Sequence, residues 1–273
     1  MRNIALVLEY DGAGYFGWQE QPCRKTLQGT LDSALSAILG ETVRAVASGR
    51  TDRGVHALGQ VVSFTTSSDI PVDTLGRALN GTLPPDMRVL NIRECPPHFH
   101  ARNSAVRKEY RYLWYSGEVL PVLLRNRAFW CGFSPPDLHF LEELSRCFVG
   151  THDFTSFSAS GNDSNNPIRT IERFEISLID DHLTVFTLVG DGFLYRMVRI
   201  ILGELWMVLR GKRTKKELVQ GINQPGRKHP RLVLPPEGLY LVRVEYDSFN
   251  PFAGLKPVQG YSPWLRWEKE ARR

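Results

Sequence analysis

The stretch Ser48-Gly49-Arg50-Thr51-Asp52-Arg53-Gly54-Val55-His56-Ala57 sets a single carboxylate, Asp52, between two arginines and bounds the group with glycines. An ionised carboxylate in such a place can act as a nucleophile or as a base. Gly49 and Gly54 allow a tight, irregular backbone. The flanking runs 42–47 and 60–66 read as strands, which an Asn-Gly pair could have joined. The longer connection is the kind of loop on which a rigid scaffold carries a site. Thr-Asp-x-Gly is also the make-up of an ordinary Asx turn, so the loop by itself fixes no chemistry.

Three further clusters could meet Asp52. In Arg107-Lys108-Glu109-Tyr110-Arg111-Tyr112, aromatics alternate with cations, which suits stacking on unpaired bases and contact with phosphates. A packed edge strand has the same look. In the run from Gly190 to Arg199, Arg196 and Arg199 stand one helical turn apart near a helix start, where the macrodipole disfavours cations. A nearby anion such as Asp52 would offset that, whereas a solvated helix face needs no such partner. Pro235-Pro236-Glu237-Gly238-Leu239-Tyr240-Leu241 leads into a final strand and could stand as an apolar wall.

The elements that must hold these groups follow from periodicity. Ile4, Leu6 and Leu8 mark a first strand, and Leu27, Leu31, Ala34, Leu35 and Ile38 a helix over 26–39 stopped by Gly40. After the Asp52 loop and its two strands come a helix over 71–83 and a strand over 87–92. That order is β-α-β-β-α-β, the ferredoxin-like unit. It runs again as a strand over 105–115, a helix over 136–148, a hairpin of 170–178 with 183–189 turned at Asp180, a helix over 193–210, a capping box at Thr214 and Glu217, and a strand over 239–246. The fold class expected is α+β: two ferredoxin-like halves with antiparallel sheets and an active-site cleft between them, over residues 1–100 and 101–250, followed by a tail over 251–273.

Composition bounds the rest. The chain has 273 residues, 42% apolar and 23% charged, with net charge +5, which permits a polyanionic partner. No apolar run is long enough to cross a membrane and the N-terminus lacks a signal-peptide layout, so a cytoplasmic protein is expected. The four cysteines form no C-x-x-C pair, and Cys95-x-x-His98-x-His100 lacks a fourth ligand, so neither disulfide nor metal is expected. Gly12-Ala13-Gly14-Tyr15-Phe16-Gly17 matches G-x-G-x-x-G after a strand, which raises a nicotinamide enzyme as an alternative. The following Trp18-Gln19-Glu20-Gln21-Pro22 opens no helix, as a dinucleotide site would require.

The Ser48–Ala57 stretch, with Gln60-Val61-Val62-Ser63-Phe64 after it, closely resembles the active-site motif of the TruA-type tRNA pseudouridine synthases. Tyr10-Asp11-Gly12 with Phe16-x-Gly17-Trp18-Gln19-x-Gln21, the Lys108-x-Tyr110-Arg111-Tyr112 strand, the Phe193…Met197-Val198-Arg199 helix start and Gly238-Leu239-Tyr240-Leu241 resemble further motifs of that family, in family order. Two positions depart from it: Arg53 stands where alanine is common, and Ile200 where asparagine is common. The residues from Tyr261 onward lie beyond the resemblance.

The resemblance implies an isomerase that turns uridine into pseudouridine at positions 38 to 40 of the tRNA anticodon stem-loop. It also implies a homodimer that grips one tRNA across both subunits. Neither a cofactor nor a nucleotide is implied, because the reaction has no redox or phosphoryl-transfer step. Asp52 would be the catalytic group, Arg199 its ion-pair partner with Arg50 close by, Tyr110 the residue stacking on the target base, and Leu239 part of the binding pocket. Arg53, Arg107, Arg111 and Arg196 would contact RNA. Whether Asp52 attacks C1′, attacks C6, or takes the C2′ proton stays open. The competing reading is a non-catalytic RNA-binding protein of two ferredoxin-like modules.

Overall fold

The computed structural model describes residues 1–132, 137–159, 166–226 and 231–255. The expected tail, from residue 256 on, lies outside the described residues, as does Pro136 at the start of the expected helix 136–148. The first half contains β1 (Arg2–Tyr10), α1 (Leu27–Leu39), β2 (Val46–Ala47), β3 (His56–Thr66), α2 (Val72–Thr82) and β4 (Met87–Glu94). The second contains β5 (Ala105–Tyr115), β6 (Phe129–Trp130), α3 (Leu138–Ser145), β7 (Gly150–Asp153), β8 (Ile168–Leu178), β9 (Leu183–Gly190), α4 (Met197–Leu209), α5 (Lys215–Asn223) and β10 (Leu239–Tyr246).

Local chemistry sets several boundaries as the sequence indicated. Thr26 caps α1 by accepting from the Gly29 N–H, and Gly40 ends it at φ 68°, where a side chain would be strained. Thr214 and Glu217 form the expected capping box at α5. The β8–β9 turn is held by Asp180, whose carboxylate accepts from the His182 and Leu183 N–H groups.

The sheets are joined where two were expected. One mixed sheet runs β4-β1-β3-β10-β5-β9-β8-β7, with β2 beside β3 and β6 beside β5. Pairing is antiparallel except at β5·β6 and at the seam between the halves, where Tyr240 and Leu241 of β10 run parallel to His56 and Ala57 of β3. The shortness of β2 belongs to the same arrangement. It pairs only with Val62 and Ser63, at the other end of β3 from β10. The rest of the strand expected over 42–47 is tied to α1 instead: Ala45 N–H donates to Asp32 and Val43 N–H to Ser36. The chain between β2 and β3, residues 48–55, therefore emerges where the two halves part.

The core is continuous across the seam, with Ile4, Leu6, Leu8, Leu31 and Leu35 from one half and Tyr112, Trp114, Leu188, Ile201 and Leu205 from the other. A smaller apolar cluster, containing Leu58, Leu113, Val185 and Tyr240, lies on the opposite face of the sheet.

Candidate active site at the seam

The Asp52 loop rests on a bed of buried hydrogen bonds. Ser48 N–H donates to Val61 C=O at 2.8 Å, and the Ser48 hydroxyl donates to Gln60 Oε1 at 2.6 Å. Gln60 Nε2 donates to Gly49 C=O at 2.8 Å and to the Tyr10 hydroxyl at 3.3 Å. That hydroxyl shares a 2.9 Å hydrogen bond with Thr51 Oγ1, directly before Asp52. Trp18 N–H closes the set on Thr51 C=O at 2.9 Å. Networks of this kind, fully satisfied and out of water, hold one conformation.

The glycine run 12–17 is part of that bed. A Cβ on Gly12 would stand 2.0 Å from Val55 O, and one on Gly17, already at φ 86°, 2.9 Å from Thr51 O. Gly12–Gly14 form a single 3-10 turn, and the next helix begins only at Leu27, where its first two N–H groups are already spent on the Gly17 and Trp18 carbonyls at 3.1 and 3.0 Å. The glycines let two backbones touch, which leaves the dinucleotide alternative without its phosphate site.

Arg199, in the first turn of α4, donates through Nη1 to Asp52 Oδ2 at 2.6 Å. The Asp52 side chain is 20% exposed and that of Arg199 10%. Arg199 Nε is spent on Leu234 C=O at 2.7 Å, and Leu234 N–H returns to Arg199 C=O. The guanidinium is thereby aimed before any substrate arrives. Tyr110 comes from β5 to the same place. It is buried, packs edge-on against Phe193 with ring centroids 5.1 Å apart, and lies close enough to Asp52 to feel its charge. Burial pushes its phenol well above the usual range, with the Tyr10 and Asp52 charges acting in the same direction. Leu241 is paired with Tyr110, and Leu239 with Tyr112, so both leucines stand on this face of the sheet. Tyr112 donates to Pro235 C=O, fixing the approach to β10.

The remaining expected residues divide. Arg50 and Arg53 are both exposed on the Asp52 loop. The Arg53 guanidinium lies 4.5 Å from the Phe16 ring centroid, and Arg24 lies 4.4 Å from the same ring. Arg196 is not a helical neighbour of Arg199. It sits at φ 60° as the residue before α4, its guanidinium over its own neighbour Tyr195, because Met197 N–H bonds back to Leu194 C=O and delays the helix. Arg107 and Arg111 alternate with Tyr110 along β5 and so occupy the other face of the sheet. There Arg107 pairs with Glu172 at 2.7 Å and Glu245 at 2.8 Å, and Arg111 with Glu109 at 2.8 Å. The structure thus brings Asp52, Arg199, Arg50, Tyr110 and Leu239 to one region, and turns Arg107 and Arg111 away from it.

A second support of the loop was not anticipated. His56, 2% exposed, has its Nδ1 3.1 Å from Asp11 Oδ1 and stacks on Tyr240 at 4.8 Å. Burial alone would raise the Asp11 carboxyl. Hydrogen bonds from His56, Arg127 and the Ala13 N–H outweigh it and hold the group well below the usual carboxylate range. The signal lay in Tyr-Asp-Gly and Val-His-Ala, where Asp11 and His56 come together only through the β1–β3 pairing. Among the described residues no cluster of three or more His, Cys, Asp or Glu could hold a metal. His100 Nδ1 instead accepts the Arg102 and Asn103 N–H groups of its own turn. No helix among the described residues is long and apolar enough to cross a membrane.

A family profile described as tRNA pseudouridine synthase matches residues 6–103 and 144–247, one segment in each half. A protein of Acetivibrio thermocellus named tRNA pseudouridine synthase A is 43% identical over 246 residues, covering 90% of this chain and 100% of the relative. Proteins of the same name from Caldicellulosiruptor bescii and Caldicellulosiruptor saccharolyticus are 42% and 41% identical over 246 residues, each again covering 90% of this chain and 100% of the relative.

Proposed function

The chain belongs to the tRNA pseudouridine synthase family, and on that footing we propose that it isomerises uridines 38 to 40 of the tRNA anticodon stem-loop, with Asp52 as the reacting carboxylate. Isomerisation breaks the C1′–N1 bond, turns the detached uracil, and joins C1′ to C5, after which C5 gives up its proton. The observation that carries this reading is the 2.6 Å ion pair between Arg199 and Asp52, at a seam where Tyr110 also arrives from the second half.

Each group has a place in this chemistry. Arg199, its Nε already committed to Leu234, holds the Asp52 oxygen in one place through Nη1 while the site empties of water. Asp52 then attacks C1′, attacks C6, or takes the C2′ proton; all three use the same oxygen. Tyr110 stacks on the target base and its phenol is positioned to take part in removing the C5 proton. The buried neighbours Leu239 and Leu241 limit water, which would otherwise divert the reaction to free uracil. Arg50 and Arg53, exposed on the loop, meet the RNA as the target uridine leaves its stack, at about a few kcal/mol.

Each half is read here as a ferredoxin-like unit, supported by matching strand orders: β4-β1-β3 with β2 beyond it, and β10-β5-β9-β8. The proposed working form is a cytoplasmic homodimer that holds one tRNA across both subunits, with no metal, nucleotide or other cofactor. Tritium release from tRNA carrying C5-labelled uridine tests the reaction. A stoichiometric release that stops with Asp52→Asn supports it, and binding of tRNA without release would instead favour a non-catalytic RNA-binding protein.

A further inference from the structure

Lys108 lies two residues before Tyr110 on the same face of β5, and the proposed chemistry leaves it unused. Its Nζ donates to Ser48 C=O at 2.8 Å, its one hydrogen bond among the described residues, where it has no carboxylate partner. An ammonium has three protons to place, so two point elsewhere. Burial lowers its pKa to about 8, and the nearby charges of Arg102 and Arg169 push in the same direction. Three cations from three separate segments therefore gather with no anion to balance Lys108: the connection between the halves, β5 and β8.

Glycines flank them, with Asp191, whose carboxylate accepts from the Thr170 N–H, between two of these glycines. A Cβ on Gly49 would stand 3.3 Å from Lys108 Nζ, and one on Gly192 3.4 Å from Arg169 Nε. Gly190, opposite Lys108 in the β5–β9 pairing, likewise has no side chain. Arg169 is steadied by bonds to Asn166 C=O at 2.9 Å and Ile168 C=O at 2.5 Å, while Arg102 is exposed. A compact group carrying negative oxygens fits this setting, since it can approach between glycines and accept from several donors at once.

We propose that Lys108, Arg102 and Arg169 form a binding site for one backbone phosphate of the substrate RNA, beside the Asp52 loop. The site rests on the reading of the protein as a tRNA-modifying enzyme and adds a substrate contact to it. The bond from Lys108 to Ser48 then links a seated phosphate to the loop that carries Asp52.

The test compares wild type, Lys108→Met and Arg102→Gln, using a tRNA transcript and a potassium chloride series. Affinity comes from filter binding, and the rate at saturating enzyme from single turnover. Each variant is expected to weaken binding by about tenfold, the effect of one charged hydrogen bond. Each should also lower the slope of log Kd against log salt by about 0.7 to 0.9, one phosphate contact. An unchanged salt slope in both variants would overturn the site, and a Lys108→Met defect confined to the saturated rate would assign Lys108 to holding Ser48 alone. The binding arm does not depend on turnover: failure of wild type to form pseudouridine would sink the functional reading, while the slopes would still answer for the phosphate.

Discussion

The two faces of β5 both carry cations and do opposite things with them. On one face Lys108, Tyr110 and Tyr112 look toward the Asp52 loop. On the other, Arg107 and Glu109 join Arg173, Arg243 and Glu245 around a groove of about 360 Å³. On that face Arg107 meets Glu245 of β10 and Glu172 of β8, Arg111 meets Glu109 of its own strand, and the charges are settled within the sheet. On the Asp52 face a carboxylate is held by one arginine, and a lysine has only a carbonyl. Charge that is already neutralised has little left for a ligand, whereas charge held in place with capacity to spare is what a site requires.

Breaking the Arg199 contact should have the largest effect. Arg199→Met removes one partner of a largely buried pair, a loss of about 3 kcal/mol at the low end for such pairs. That corresponds to a fall in kcat on the order of a hundredfold, to be read by tritium release. Gly12→Ala comes next. Its Cβ would meet the Val55 carbonyl, so the loop must shift, with about 1–3 kcal/mol lost in thermal unfolding and a clear drop in kcat. Tyr10→Phe keeps the ring but removes the hydroxyl bonded to Thr51, which should cost about 1 kcal/mol of stability and a smaller part of kcat. The smallest effect is predicted on the far face. Arg107→Gln should leave KM for tRNA and kcat within about twofold, and stability within about 1 kcal/mol, since its ion pairs are solvent-exposed. A KM rise as large as that of an Asp52-face variant would erase the distinction between the faces.

That distinction was partly legible in the sequence. Alternation along 105–115 already separates Tyr110 from Arg111 and Arg107, yet grouping residues by closeness in the chain set all of them around Asp52. Period-2 geometry was the stronger guide. Asp52 and Tyr110 lay in recognisable surroundings, and Arg199 in a motif whose spacing survives even though its helix starts later than expected. Arg196 was misjudged because helical periodicity was extended back to residue 193, through a segment that bonds in a tight turn. The joining of the halves was not legible, because it rests on a short parallel contact between strands far apart in the chain, and no local pattern encodes such a pairing. The role of the 12–17 glycines was hidden for the same reason: the atoms they make room for belong to residues 51–55.

The central claim is that Asp52, held at the seam by Arg199, is the group that reacts with uridine. The most direct measurement is position-by-position detection of pseudouridine in tRNA incubated with wild type or Asp52→Asn, alongside tRNA binding by both. The account predicts pseudouridine at positions 38 to 40 with wild type and none with Asp52→Asn, although the variant still binds tRNA. Pseudouridine formed by Asp52→Asn at the wild-type rate would contradict it.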